Sequence, residues 1–125
     1  MFISSGNIAQ YSALKVFDCL DELKEIVDQY KITKDKVVQI LRTQSTAKFE
    51  IPKGAFYFYL DISRTRLNSF DFVKKVMNET GVVLTPGLDF DKKNGGSTIR
   101  LSFSSDQENV IEGVKKLTEW LKTNY

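Results

Sequence analysis

Residues 81–104, GVVLTPGLDFDKKNGGSTIRLSFS, decide how this chain is read. Two apolar, strand-like runs flank a polar excursion. Val82, Val83 and Leu84 run into Pro86-Gly87, a dipeptide that marks a turn. Lys92 to Gly96 supplies residues that tolerate positive φ. The chain returns through Thr98 to Ser104, where apolar and polar residues alternate. Ile99, Leu101 and Phe103 share one face, and Thr98, Arg100 and Ser102 share the other. The pattern predicts a hairpin with Arg100 in mid-strand, on the face away from the core. A guanidinium offers a planar fork suited to a carboxylate or a phosphate, and a strand holds it more rigidly than a loop. The competing expectation is a surface arginine on a half-exposed strand.

Upstream, apolar residues recur at helical spacing: Ile8, Tyr11, Leu14, Phe17 and Leu20, then Leu23, Val27 and Tyr30. They predict helices over residues 6–18 and 21–43, with a kink near Asp18 or Thr33 and the apolar stripe packed in a core. Ser4 to Asn7 offers capping residues. Lys48–Ile51 and Ala55–Ile62 read as strands separated by the turn Pro52-Lys53-Gly54. Phe56, Phe58 and Leu60 fall on one face of the second strand and Tyr57, Tyr59 and Asp61 on the other. Aromatics on both faces predict a well-covered strand. Ser63 to Asn68 reads as a loop whose Arg64 and Arg66 are solvated. Ser69 is a predicted cap for a helix over 70–80, with Phe72, Val73, Val76 and Met77 inward and Gly81 as its left-handed end. Ser105 and Glu108 have capping-box spacing. The last helix turns Val110, Ile111, Val114, Leu117 and Leu121 inward, with Trp120 as aromatic anchor. This order predicts a single α+β domain, residues 1–125, with a small, mainly antiparallel sheet and helices packed on one face.

Composition narrows the chemistry. With 125 residues the chain holds one domain and can bury a core. A net charge of +2 does not argue for nucleic acid or a membrane surface, and no apolar run reaches the ~20 residues of a membrane span. Met1-Phe2-Ile3 is too short and uncharged for a signal peptide. A single cysteine, Cys19, excludes an internal disulfide and fits a reducing, cytoplasmic setting. There is no histidine. That removes Ser-His and Cys-His pairs together with the commonest metal ligand and general base. Two short matches carry nothing. Ser45-Thr46-Ala47-Lys48 fits S-x-x-K without its partner motifs. Lys53 to Tyr57 departs from the RNA-binding RNP1 pattern in the order of its small and aromatic residues.

Three segments, in order, resemble one family. Pro86-Gly87-x-x-Phe90 with Ile99-Arg100-Leu101-Ser102-Phe103, Pro52-Lys53-Gly54-Ala55-Phe56-Tyr57, and the helical run Ser12–Leu41 look like the C-terminal small domain of fold-type I, pyridoxal-phosphate-dependent aminotransferases of class I/II, the aspartate-aminotransferase-like kind. The resemblance spans nearly the whole chain. It implies that residues 6–43, approximately, are the interdomain helices and that Arg100 binds the substrate's α-carboxylate. It also implies amino-group transfer between an amino acid and a 2-oxo acid. Near the first helix, in Gly6 to Ala13, Gln10 and Ala13 fit the family's pattern but its Pro-Thr pair is replaced, so no contact is assigned to Ser5 or Asn7. No serine-lysine segment in the family's Schiff-base context is present; Lys74, Lys75, Lys115 and Lys116 fall on outer helix faces. The resemblance therefore implies a partner, a large catalytic domain or fragment that holds pyridoxal phosphate, with no cofactor on the isolated chain. It further suggests a separately encoded C-terminal piece, from a split, truncated or decayed gene, that is inactive alone. The alternative is a non-catalytic remnant or interaction module that self-associates through its apolar face.

Overall fold

The structure, a computed structural model, describes residues 5–125; Met1 to Ser4, including the Ser4 part of the expected cap, lie outside the described residues. The elements are α1 (Asn7–Ala13), a 3₁₀ turn Val16–Cys19, α2 (Leu20–Gln44), β1 (Lys48–Phe49), β2 (Tyr57–Asp61), α3 (Ser69–Thr80), β3 (Thr85–Pro86), β4 (Thr98–Ser102) and α4 (Gln107–Asn124). The strands form one antiparallel sheet in the order β1-β2-β4-β3. The α+β expectation holds.

The alternating sequences of β2 and β4 give the sheet two unlike faces. Phe58 opposes Leu101, and Leu60 opposes Ile99. All four are buried against Val37 and Leu41 of α2, Phe72 and Val76 of α3, and Val114 and Leu117 of α4. Burying each such side chain contributes about 1.5–3 kcal/mol. Aromatic packing knits the centre: the Phe58 ring lies 5.3 Å from Phe103 and 5.9 Å from Phe49, centroid to centroid. Trp120 anchors α4 as expected. Its ring meets Phe72 edge-on at 5.5 Å, and its Nε1–H donates to Glu79 Oε2 at 2.6 Å. The opposite face carries Tyr57, Tyr59, Thr98, Arg100 and Ser102.

The N-terminal stripe departs from expectation. Ile8, Tyr11, Leu14, Phe17 and Leu20 do not enter the core; Ile8 and Phe17 are 86% and 75% exposed. Periodicity showed that these residues share a face, but nothing in residues 5–125 covers that face. The expected kink occurs as the 3₁₀ turn Val16–Cys19, and α2 continues unbroken through Thr33, whose hydroxyl donates to Gln29 O at 3.1 Å. Only the later part of α2 packs, with Thr33, Val37, Val38, Ile40 and Leu41 buried.

The caps and turns also differ. Asn68, not Ser69, caps α3: its Oδ1 accepts from the Asp71 amide at 3.0 Å. Ser69 is buried inside the helix, its hydroxyl unpartnered. Asp106, not Ser105, caps α4 and accepts from Glu108 N and Asn109 N at 3.0 and 3.1 Å. A carboxylate at a helix N-terminus gains both a charge-assisted bond and the dipole, so it outcompetes a neighbouring hydroxyl. Gly81 ends α3 at φ 75°, as read. Met77 is exposed rather than inward. The strands are shorter than their apolar runs. Val82 to Leu84 stay outside the ladder, and Ala55 adopts φ 58° just before β2. Tyr59 remains exposed while Tyr57 and Asp61 are half-buried, so the outer face of β2 is only partly covered.

The expected loop of positive-φ residues is absent too. Positive φ among the described residues occurs at Ala55, Arg66 and Gly81, not between Lys92 and Gly96. The glycines serve close approach instead. A Cβ on Gly87 would lie 2.6 Å from Thr98 O and 2.7 Å from Gly95 O, and one on Gly95 would lie 2.4 Å from Gly87 C. Two backbone turns, Gly87–Asp89 and Gly95–Ser97, are thus pressed together where no side chain fits.

Candidate functional site

Arg100 sits where the alternation of β4 sends it, at the centre of the outer face. It opposes Tyr59 of β2 on one side and Thr85 of β3 on the other. Its guanidinium carbon lies 3.6 Å from the Tyr57 ring centroid, 3.8 Å from Phe90 and 5.9 Å from Tyr59. Three aromatics therefore surround one cation, an arrangement attractive through the ring quadrupoles. Tyr57 and Tyr59 reach it because they are the outward residues of β2. Phe90 reaches it from the loop.

That loop is held by local hydrogen bonds. Gly87 O accepts from the amides of Phe90 and Asp91, both at 2.9 Å. Asp91 Oδ1 accepts from Lys93 N at 2.8 Å and Asn94 N at 3.0 Å, and Asp91 O from Gly95 N at 2.8 Å. The Asn94 and then the Lys93 amide hold the Asp91 carboxyl below the usual aspartate range. This bonding folds the excursion back and brings the Phe90 ring over the strand.

Arg100 is the one predicted site residue, and the structure gives it no anionic partner of its own. The ion pairs among the described residues are Lys15–Asp18, Lys34–Asp35 and Lys116–Glu112. Its Nε is covered and lacks a hydrogen-bond partner. Asp61, on the same sheet face, is occupied elsewhere. The Ser63 side chain first, then its amide at 2.8 Å, lower the Asp61 pKa. The result is a ring-clamped cation with no ion-pair partner among the described residues; a guanidinium in this state can accept a carboxylate or another oxyanion.

The other singled-out residues do not gather here. Arg64 and Arg66 are exposed on the loop after β2. Ser45 ends α2 and accepts from Ala47 N, a turn contact with no nucleophile's partner. Every lysine is exposed except Lys34 and Lys75. Lys34 pairs with Asp35, and Lys75 lies over the Trp120 and Tyr125 rings at 5.5 and 6.0 Å. No group of three or more potential metal ligands occurs among the described residues, and no helix there is long and apolar enough to cross a membrane. The aromatic clamp was missed from sequence. Alternation had put Tyr57 and Tyr59 on the outer face of β2, as it put Arg100 on that of β4, but Phe90 gave no such signal.

The chain is similar to known proteins in sequence and in fold. Residues 2–117 match the family model for aminotransferase class I and II. The chain is 30% identical over 116 residues to the valine–pyruvate aminotransferase of Mycobacterium tuberculosis, covering 91% of this chain and 30% of that protein. It is 33% identical over 123 residues to a (5-formylfuran-3-yl)methyl phosphate transaminase of Methanocaldococcus jannaschii, covering 97% and 32%. Among solved structures, aspartate aminotransferase from Thermotoga maritima superposes with a TM-score of 0.78 at 31% identity, covering 94% of this chain and 29% of that one. The chain thus spans about 30% of the length of the curated relatives it matches. With a matched family model over most of its length, the chain belongs to the class I and II aminotransferases.

Proposed function

We propose that the chain is the C-terminal, substrate-gripping part of an aminotransferase that moves an amino group between an amino acid and a 2-oxo acid, and that Arg100 binds the substrate α-carboxylate. The observation that carries this is an arginine clamped by Tyr57 and Phe90 yet paired with no carboxylate of the described residues. A guanidinium fixed in this way orients a carboxylate bidentately and so places the attached amine.

Pyridoxal phosphate supplies the electron sink for this chemistry when bound. The residues here do not fit it. Their lysines are exposed or engaged, and no lysine is buried beside Arg100 to hold or move a proton. A partner, the large catalytic domain or a fragment equivalent to it, must therefore supply the cofactor seat, and the isolated chain is inactive. We place this partnership in the cytoplasm; the free, exposed Cys19 agrees with a reducing setting.

Two experiments test the reading. With added pyridoxal phosphate, borohydride reduction and peptide mapping of the isolated chain should label no single lysine stoichiometrically. One fully labelled lysine would overturn the assignment of the cofactor to a partner. In an enzyme completed by the catalytic part, Arg100→Ala should raise KM for the amino acid roughly tenfold or more, since a hydrogen bond to a charged group is worth about 1.5–3 kcal/mol. Unchanged kinetics would remove Arg100 from the site.

One observation favours a second reading, a non-catalytic interaction module. The stripe Ile8, Tyr11, Leu14, Phe17 is uncovered, and contiguous exposed apolar surface marks association. Sedimentation of the isolated chain discriminates. A monomer at high concentration counts against self-association.

A further inference from the structure

We infer that Phe90 is a specificity-determining positioning residue: with Tyr57 it holds the Arg100 guanidinium edge-outward, so that the site selects planar carboxylates over tetrahedral anions of the same charge. The inference deepens the carboxylate reading of Arg100 and rests on it.

The geometry leaves little choice. Arg100 Cζ is 3.6 Å from one ring centroid and 3.8 Å from the other. Only a guanidinium face can come that close, because an edge-on approach would drive a nitrogen into the ring. The cation has two faces, and two rings at this distance cannot share one. Tyr57 and Phe90 therefore cover opposite faces. Nε has no exposed surface and no partner, so the Nη groups are the donors an incoming anion can reach.

Those donors lie in a single plane. A carboxylate is flat, and its two oxygens can lie in that plane and accept both bonds. A sulfonate or phosphonate that places two oxygens there must direct its third out of plane, toward a flanking ring whose face is negative. The clamp thus penalises the tetrahedral anion without touching the planar one.

Phe90 is suited to this role and to little else. The residue is 54% exposed, so it is not a core residue. It is held over Arg100 by the Gly87 carbonyl, the Asp91 side chain and the close approach of Gly87 to Gly95. The turn specifies where the ring goes, and the cation is what the ring meets there.

The test uses the full chain labelled with nitrogen-15, with the Arg100 Nε–H resonance identified by its loss in Arg100→Lys. Sodium acetate and sodium methanesulfonate are titrated at constant ionic strength made up with sodium chloride. Ring currents should shift the wild-type resonance, and acetate should perturb it at lower concentration than methanesulfonate. Phe90→Ala should lose part of the ring-current shift. It should also lower the acetate-to-methanesulfonate affinity ratio about twofold to fivefold, the factor a half-exposed cation–π contact is worth. Phe90→Tyr should restore both. An unchanged ratio in Phe90→Ala overturns the inference and leaves the carboxylate reading standing. If the wild-type resonance responds to neither anion beyond sodium chloride, the carboxylate reading itself falls, and this inference with it.

Discussion

Replacing Gly95 with alanine asks whether the compact turn above β4 is a built structure or a tolerant loop. A Cβ at Gly95 would lie 2.4 Å from the Gly87 carbonyl carbon and oxygen and 2.5 Å from Leu88 N, against 3.4 Å for ordinary contact. All three atoms are backbone, so no side chain can rotate away. The two turns must separate by about 1 Å, which stretches the 2.8 Å bond from Gly95 N–H to Asp91 O beyond useful range. Losing that bond costs about 1 kcal/mol, and residual overpacking about 1–3 kcal/mol more. The expected loss is about 3 kcal/mol, or roughly 12 °C in Tm for a domain of this size. Gly96→Ala is the matched control. Its Cβ would meet nothing within 4 Å, so its effect should stay within ~0.5 kcal/mol. Urea unfolding followed by far-ultraviolet circular dichroism compares the two. If both variants unfold at the same urea concentration, the turn yields more easily than its geometry allows and is too soft to aim Phe90.

Leu14→Ser with Phe17→Ser should leave the urea midpoint almost unchanged, because both side chains are exposed, whereas Leu41→Ala should cost about 2–5 kcal/mol through its buried cavity. Equal losses would mean that the N-terminal stripe is part of the core after all. Trp120→Phe removes the donor to Glu79 and part of a buried ring; a loss of about 1–3 kcal/mol is expected, read as a shift in thermal midpoint. The pH dependence of stability has a definite sign. Asp61, Asp91 and Glu112 all have carboxyl pKa values lowered in the folded state. Their contribution is complete above ordinary carboxylate values of about 4 and is lost as pH falls through the lower folded values. Without histidine, side-chain titration adds no step near pH 6.5. Thermal midpoints should therefore be level from about pH 5 to 7 and fall below about pH 4, and a marked step near 6.5 would contradict this.

Much of the architecture was legible because β2 and β4 obey a period of two and α3 and α4 a period near 3.6. Phe58, Leu60, Ile99 and Leu101 face the core as the alternation requires. Trp120 behaves as its place in α4 suggested. The failures have physical causes. Periodicity tells which residues share a face but not whether anything lies opposite, so the exposed stripe from Ile8 to Leu20 could not be told from a core stripe. Capping is a competition between neighbours, and at both α3 and α4 the adjacent Asx side chain won over a serine. For the site, Arg100 was found from one strand's alternation. Its partnership with Phe90 depends on Gly87 and Gly95 packing backbone to backbone, a through-space fact that composition reports only as glycine richness.

Trp120 is the chain's one tryptophan, so its emission comes from a single place. The indole is buried between α3 and α4, edge-on to Phe72, with Lys75 above its ring and Glu79 accepting from its nitrogen. Emission from this dry, charge-flanked setting should lie to the blue and should move to the red when the last helix leaves its neighbours. Arg100 and Phe90 occupy the other side of the sheet. Intrinsic fluorescence is therefore a clean optical gauge of α4 docking, and an anion that settles on the outer face should leave its colour unchanged.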